Sequence, residues 1–247
     1  DWIPKLPTKL PDGSIRHGLH PRQQQFLLHA HTPEVFYGGA AGGGKTFATL
    51  AAAAQFVEIP GYSALLLREN FADLHQPGSW IPMSRSWWAN RATYKESEHR
   101  WTFPSGATIT FGYLANDQAV YQYDTAAFAC IAIDELVQHS EWRYKFLFQR
   151  LRRPSMGPLS VVPLRMRSAS NPGNRGHEWV RKRFIDDKTR EPGRVFVPAR
   201  IEDNPSLDSE SYRRDSLSQL DPVTRAQREH GDWDAIESGR FTREMLR

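Results

Sequence analysis

Glu34-Val35-Phe36-Tyr37-Gly38-Gly39-Ala40-Ala41-Gly42-Gly43-Gly44-Lys45-Thr46 decides how the rest of the chain is read. Its first four residues predict a short strand that ends in glycines. After the glycines, the alanine-rich stretch from Thr46 to Val57 meets no breaker before Pro60 and predicts a helix. Between strand and helix, Gly39, Ala40, Ala41, Gly42, Gly43, Gly44, Lys45 and Thr46 satisfy G-x-x-x-x-G-K-[ST] in full. Glycines at these positions let successive backbone N–H groups turn inward around phosphates, aided by the positive end of the following helix. Lys45 supplies a point charge to the β- and γ-phosphate oxygens, and the Thr46 hydroxyl is a ligand for Mg²⁺. The loop therefore predicts a nucleotide triphosphate site.

Working outward, Ala64 to Arg68 predicts an apolar strand of the kind buried on both faces of a parallel sheet. Trp101 to Phe103 and Ala107 to Phe111 flank Pro104-Ser105-Gly106 and predict a β-hairpin. Phe128 to Ile133, Leu164 to Ala169 and Arg194 to Pro198 predict three further strands, the last one closing the sheet. Upstream, Gln23 to Leu28 predicts a helix that stops before Pro33, preceded by an extended arm carrying Pro4, Pro7, Pro11 and Gly13. Strands alternating with helices over this length argue a βαβ architecture. Beyond Asn204-Pro205 the pattern is polar and helical, which predicts a small lid.

At the end of one predicted strand stand Asp134 and Glu135. Adjacent residues at a strand end face different ways, so the two acids can take separate roles. Asp134 would hold Mg²⁺ through its water shell and Glu135 would polarise an attacking water. No Asn-Lys-x-Asp tetrad for guanine is present, which favours adenine; Gln23 and Gln24 are both candidates to read its edge through a bidentate amide. Cys130, inside the acid-bearing strand, reads as a small buried apolar residue.

Composition narrows the classes further. A chain of 247 residues with 39% hydrophobic and 24% charged residues folds without staples, and one cysteine excludes both an intrachain disulfide and a cysteine-built zinc site. No apolar run approaches the roughly 20 residues of a membrane helix, and the first residues show no basic region followed by an apolar core. No membrane partner is expected. The net charge of +4 hides an asymmetry: from Arg143 to Arg183 eleven Lys/Arg face one acid, Glu178. A window of this sign predicts a polyanion partner, or arginines that reach a phosphate held by a neighbour.

Taken jointly, Pro21 to Leu27, Tyr37 to Thr46, Ile133 to Leu136 and Ser170-Asn171-Pro172-Gly173-Asn174-Arg175-Gly176-His177-Glu178-Trp179-Val180 closely resemble the large terminase subunit of tailed bacteriophages, in order and spacing from about residue 20 to residue 240. The resemblance implies an α/β fold, a RecA-like P-loop NTPase of the ASCE type. In it a central, mainly parallel sheet is flanked by helices and followed by a small helical lid, and the strand bearing the catalytic glutamate is separated from the P-loop strand by one other. It implies an arm over 1–20, an ATPase core over 21–204 and a lid over 205–247 leading to an absent nuclease domain. The implied function is the ATPase of a viral genome-packaging motor. This is a homo-oligomeric ring in the host cytoplasm that works with a portal protein and a small terminase subunit, and uses ATP and Mg²⁺ to drive double-stranded DNA into a procapsid.

Residue by residue, the resemblance makes Gln23 the adenine contact, Lys45 and Thr46 the loop lysine and hydroxyl, Asp134 the Mg²⁺-associated acid and Glu135 the catalytic base. Ser168-Ala169-Ser170-Asn171 resembles the motif that couples γ-phosphate state to DNA movement. Two departures stand out. Some terminase P-loops carry a cis-acting arginine before the glycines, whereas Gly38 to Gly44 bear no charge here. An arginine finger is then expected from the next subunit, with Arg150, Arg152 and Arg153 as candidates in that order and Arg165 and Arg167 behind them. The second departure is the absence of the acid cluster of a two-metal nuclease after Arg240, so no metal-dependent DNA cleavage is expected. Arg175, Arg181, Lys182 and Arg183, on and before a helix predicted from Glu178 to Asp187, are candidate DNA-phosphate contacts, as is the hairpin near Ser105-Gly106.

Rival readings are an ATP-driven helicase or other nucleic-acid translocase, a small-molecule kinase and a nucleotide-binding structural protein. The helicase shares every motif but usually carries a second RecA-like domain; a strand-final Asp-Glu favours water over a kinase acceptor; intact Lys45 and Glu135 favour turnover.

Overall fold

The computed structural model describes residues 2–9 and 14–235. An antiparallel pair, β1 (Leu6–Lys9) and β2 (Ile15–Gly18), precedes α1 (Pro21–Leu28), β3 (Glu34–Gly39), α2 (Lys45–Ala54), β4 (Ser63–Arg68), α3 (Trp80–Trp88), β5 (Thr93–Lys95), β6 (Arg100–Thr102) and β7 (Thr108–Tyr113). Then follow β8 (Cys130–Ile133), α4 (Glu141–Phe146), β9 (Arg165–Ser170), α5 (His177–Val180), β10 (Arg194–Ala199), α6 (Ser209–Asp215) and α7 (Pro222–Arg225), the last continuing as a wider turn through His230. Among the described residues no helix is long and apolar enough to cross a membrane.

β3 is buried along its whole length, as a strand with a neighbour on each side and helices on both faces must be. The main sheet runs β10-β3-β9-β8-β4-β7-β6-β5. Its first six strands are parallel, while β6 and β5 are added antiparallel. β9 lies between β3 and β8, so one strand separates the P-loop strand from the acid-bearing strand. Register places Gly38 opposite Ser170 and Pro198, and Ile133 opposite Ser168 and Leu67. The glycine loop, the acid pair and the Ser170-Asn171 turn therefore emerge together at the carboxyl edge of the sheet, where α/β folds place ligands.

Strand alternation divides the core. Ala64, Leu66, Cys130 and Ala132 pack on one face with Leu50, Ala53, Trp80, Trp88 and Trp101. Leu65, Leu67, Ile131 and Ile133 pack on the other with Phe36, Tyr144, Phe184 and Trp233. The alanines of α2 let that helix lie close against the sheet. β10 is the edge strand beside β3, as expected of Arg194 to Pro198.

Several elements differ from their sequence reading. The arm is not simply extended: β1 and β2 pair, and the Trp88 indole donates to the Trp2 carbonyl at 2.8 Å. Strands of four residues are too short to show alternation. The helix expected to reach Val57 ends at Ala54, and the one expected over 178–187 is a single α turn followed by a wider turn, Arg181–Ile185. Residues 236–247 of the expected lid, including the stretch after Arg240, lie outside the described residues.

The largest difference concerns the basic window, for Arg143, Arg150, Arg165, Arg167 and Arg183 are all buried. Arg165 donates to the Ala52 carbonyl at 2.7 Å and to Gln55 Oε1 at 2.6 Å, at the end of α2. Arg167 donates to the carbonyls of His29 at 2.7 Å and Thr32 at 3.0 Å, after α1. Carbonyls at a helix C-terminus lack intrahelical donors and attract cations, so these arginines cap two helices from beneath. Neither is available as a finger. Arg183 binds Glu34 through two nitrogens at 2.8 and 3.0 Å, with Arg194 and the Tyr144 hydroxyl on the same carboxylate. This corrects the expectation that Arg183 contacts DNA phosphate: its guanidinium is enclosed and already paired.

Candidate nucleotide site

Gly39 and Gly44 explain why the loop needs glycine. Gly39 has φ +125°, and a Cβ there would stand 2.5 Å from the Ala199 carbonyl oxygen; Gly44 has φ +74°, and its Cβ would meet the Gln23 amide at 2.6 Å. Lys45 opens α2 with its side chain buried and its ammonium donating to the Ala40 carbonyl at 2.7 Å, inside the loop it must serve. Burial pulls this ammonium down from 10.5 to about 8, against the opposing pull of the Glu135 and Asp134 carboxylates.

Thr46 Oγ1 and Asp134 Oδ2 lie 3.5 Å apart. A hydroxyl beside a carboxylate at a phosphate loop is a hard-oxygen donor pair that fits Mg²⁺, which binds through one or two protein oxygens plus water and phosphate. Arg68, at the end of β4, also binds Asp134 Oδ2, its Nε at 3.1 Å. Arg68 thus balances the buried charge of Asp134, and a cation entering here would compete with it.

Glu135 sits just past β8 with φ +50° and ψ +50°, a left-handed conformation that is unfavourable for a side-chain-bearing residue. Strain of this kind clusters where geometry serves a site. Here it turns the carboxylate toward Ser170, whose hydroxyl donates to Oε2 at 3.4 Å. Burial raises the Glu135 pKa first and the Asp134 charge second, while Lys45, Arg228 and Arg68 act in the opposite direction. A carboxylate with a raised pKa is a better proton acceptor when ionised.

Of the remaining sequence candidates, Gln23 is buried against the loop, accepting from the His20 N–H at 3.1 Å and donating to the Gly44 carbonyl at 3.4 Å; Gln24 is exposed on the other face of α1. Asn171 donates to the Gly39 carbonyl at 2.6 Å. Ser168 is buried lower in β9, two residues below Ser170. Arg150 is buried and paired with Asp124 at 3.1 Å; Arg152 donates to the Thr125 and Ala126 carbonyls and Arg153 to that of Val162. Leu151 bridges Phe128, just ahead of β8, so these three arginines stand at the amino edge of the sheet, opposite their own P-loop. The hairpin tip lies at that edge too, with the Thr108 N–H donating to Tyr62. Arg175 pairs with Glu69 near the carboxyl edge, Arg181 pairs with Asp234 at 2.5 Å, and Lys182 is exposed.

Sequence reasoning missed the groups that hold the loop from elsewhere, namely Tyr37, whose hydroxyl donates to the Gly43 carbonyl at 2.9 Å, Asn204, donating to Gly42 at 2.6 Å, and Arg228, whose carbonyl accepts from the Ala41 N–H at 2.7 Å; it also missed Arg68, which holds Asp134. Only the Asn204-Pro205 turn carried any signal, as a boundary. A cavity of about 580 Å³ opens against Glu135, lined also by Gln138, Asn171, Arg175, Gln227 and Arg228. It adjoins the phosphate loop rather than coinciding with it.

A phosphate loop on β3, next to the edge strand β10, an acid pair on β8 with only β9 between, and a segment after β10 that rests on the loop through Asn204, Arg228 and Gly231 define the fold of a RecA-like P-loop NTPase domain. The profile of the family "Terminase large subunit, T4likevirus-type, N-terminal" matches residues 36–247, and the chain belongs to that family. Solved structures agree on the fold. The large terminase of a thermophilic bacteriophage in complex with ATP-gamma-S aligns with TM-score 0.62 at 16% identity, covering 87% of this chain and 52% of that one. The HK97 bacteriophage large terminase gives 0.59 at 11%, covering 93% and 53%. A mutant ATPase domain of a Thermus phage large terminase gives 0.55 at 11%, covering 86% and 93%. The chain thus spans about half the length of the whole large terminases it matches. A search of curated proteins found no match.

Proposed function

We propose that this chain binds and hydrolyses ATP as the ATPase of a phage DNA-packaging motor, and that hydrolysis drives double-stranded DNA into a procapsid. The observation that carries the reading is the convergence of the buried Lys45 ammonium, the Thr46–Asp134 oxygen pair and the strained Glu135 carboxylate at one sheet edge. Complexes of a related terminase with ATP-gamma-S and with ADP support the nucleotide.

Lys45 and the loop amides bind the β- and γ-phosphates, and Gln23 stands where α1 meets the loop to receive the base. Bound Mg²⁺, held by Thr46 and Asp134, would neutralise charge on the phosphate oxygens. Glu135 accepts a proton from water as the water oxygen bonds to the γ-phosphorus and the bond to the bridging oxygen breaks, leaving ADP and phosphate. Ser170 holds the Glu135 carboxylate, and Asn171 ties the same turn to Gly39, so loss of the γ-phosphate is felt in β9. A homo-oligomeric ring docked on a portal protein, fed by a small terminase subunit, is the assembly in which such turnover moves DNA. Arg152 and Arg153 remain finger candidates in trans, since the amino edge of one subunit's sheet is free to face the next subunit's site.

The test is steady-state ATP hydrolysis with nucleotide binding measured in parallel. Glu135→Gln is expected to lower turnover about 10²- to 10⁴-fold while ATP still binds, and Lys45→Ala to abolish binding. Undiminished hydrolysis by Glu135→Gln would sink the assignment.

A further inference from the structure

We infer that Arg228, carried by the lid, acts in cis as the arginine that engages the γ-phosphate and ties lid position to ATP rather than ADP. The inference rests on the nucleotide site proposed above. Gly38 to Gly44 contain no charge, so the loop itself offers the γ-phosphate no cation but Lys45. Arg228 reaches the loop from the turn that extends α7, and it is fixed there twice. Its carbonyl accepts from the Ala41 N–H at 2.7 Å, and its Nη1 donates to Asn171 Oδ1 at 3.1 Å. Asn171 in turn donates to Gly39, closing a chain from P-loop to coupling turn to lid.

The seat is built for contact. Gly231, three residues on, has φ +66°, and a Cβ there would stand 2.5 Å from Gly39 Cα, so the lid backbone rests directly on the loop. Arg228 is among the residues lining the cavity that reaches Glu135. Its lid neighbours Arg213, Arg214 and Arg225 each pair with a carboxylate. Among the described residues no carboxylate pairs with Arg228, whose guanidinium meets only the neutral Asn171 amide. A planar cation held at a phosphate loop with no carboxylate bonded to it, Glu135 acting on it only across space, is poised for an anion, because charge-assisted bonds to phosphate outcompete bonds to a neutral amide. With ATP bound, the guanidinium leaves Asn171 for a γ oxygen; with ADP it stays. Because the Arg228 carbonyl stays on Ala41, either state is transmitted to the lid backbone.

The experiment compares the wild-type chain with Arg228→Ala and Arg228→Lys for affinity toward ATP-gamma-S and ADP, by titration calorimetry. Arg228→Ala is expected to lose about 10- to 100-fold in ATP-gamma-S affinity with ADP affinity unchanged, and Arg228→Lys to recover part of that loss. Equal losses for both nucleotides, or none, would overturn the inference. If Arg228→Ala melts far below wild type, Arg228→Gln against Arg228→Lys carries the same comparison. Mixing Arg228→Ala with Glu135→Gln subunits is expected to restore no hydrolysis; restoration would place Arg228 in trans and overturn the cis assignment. Failure of the wild-type chain to bind either nucleotide would sink the nucleotide site itself, which is a distinct result.

Discussion

Lys45 shows how one residue can be legible in sequence while its energetics are not. The motif assigns it a phosphate, but only the fold reveals an ammonium enclosed by Ala40 and the α2 start, with a pKa near 8. Between about 8 and 10.5 the unfolded chain binds more protons here than the folded one, so this group's contribution to stability rises with pH across that window. Nucleotide binding runs the other way, since the empty loop keeps its ammonium only below about 8. ATP affinity is expected to be highest below that value and to weaken above it; binding titrations across pH 8 measure it, and a flat wild-type profile would refute the role. Asp134 and Glu135 were equally legible because they are contiguous with an apolar strand. Arg68 was not: it meets Asp134 from 66 residues away, on a strand whose sequence contains no hint of its neighbour.

At the level of elements, β9 forms where its apolar stretch predicts a strand, yet Arg165 and Arg167, finger candidates by charge alone, are buried within the fold. A charge count registers sign, not direction, and a guanidinium with five donors can satisfy several helix-end carbonyls at once without facing water. Arg167→Ala is expected to leave the Thr32 carbonyl without its guanidinium donor and the His29 carbonyl with only the Thr32 N–H, a loss of about 3 kcal/mol that thermal melts would register as a fall in Tm of roughly 6–12 °C. Mixing with wild-type subunits should not repair it, because the defect lies within one chain. A melt unchanged by the substitution would contradict the capping role. Arg183 and Arg194 on Glu34 make the same point at the start of β3, where a buried carboxylate depends on two guanidinium groups.

The whole molecule places its chemistry at the carboxyl edge of the sheet, while Arg150, Arg152 and Arg153 lie at the amino edge. If the motor is a ring whose subunits complete one another, ATP turnover is expected to rise faster than linearly with protein concentration and to respond to double-stranded DNA; a strictly linear dependence would argue for a self-sufficient subunit. DNA affinity should fall steeply with salt and be indifferent to sequence, as phosphate contacts require. Sequence alone determined the strand–loop–helix of the P-loop, the acid pair and the parallel α/β order, because each is a local pattern of apolar periodicity and turn chemistry. The family resemblance followed from those patterns in series. Tertiary structure alone decided which arginines are interior props, that Arg68 guards Asp134, and that Asn204 and Arg228 bring the segment after β10 onto the loop. Those contacts join residues far apart in the chain, and their partners are chosen by strand order and register rather than by anything either segment carries by itself.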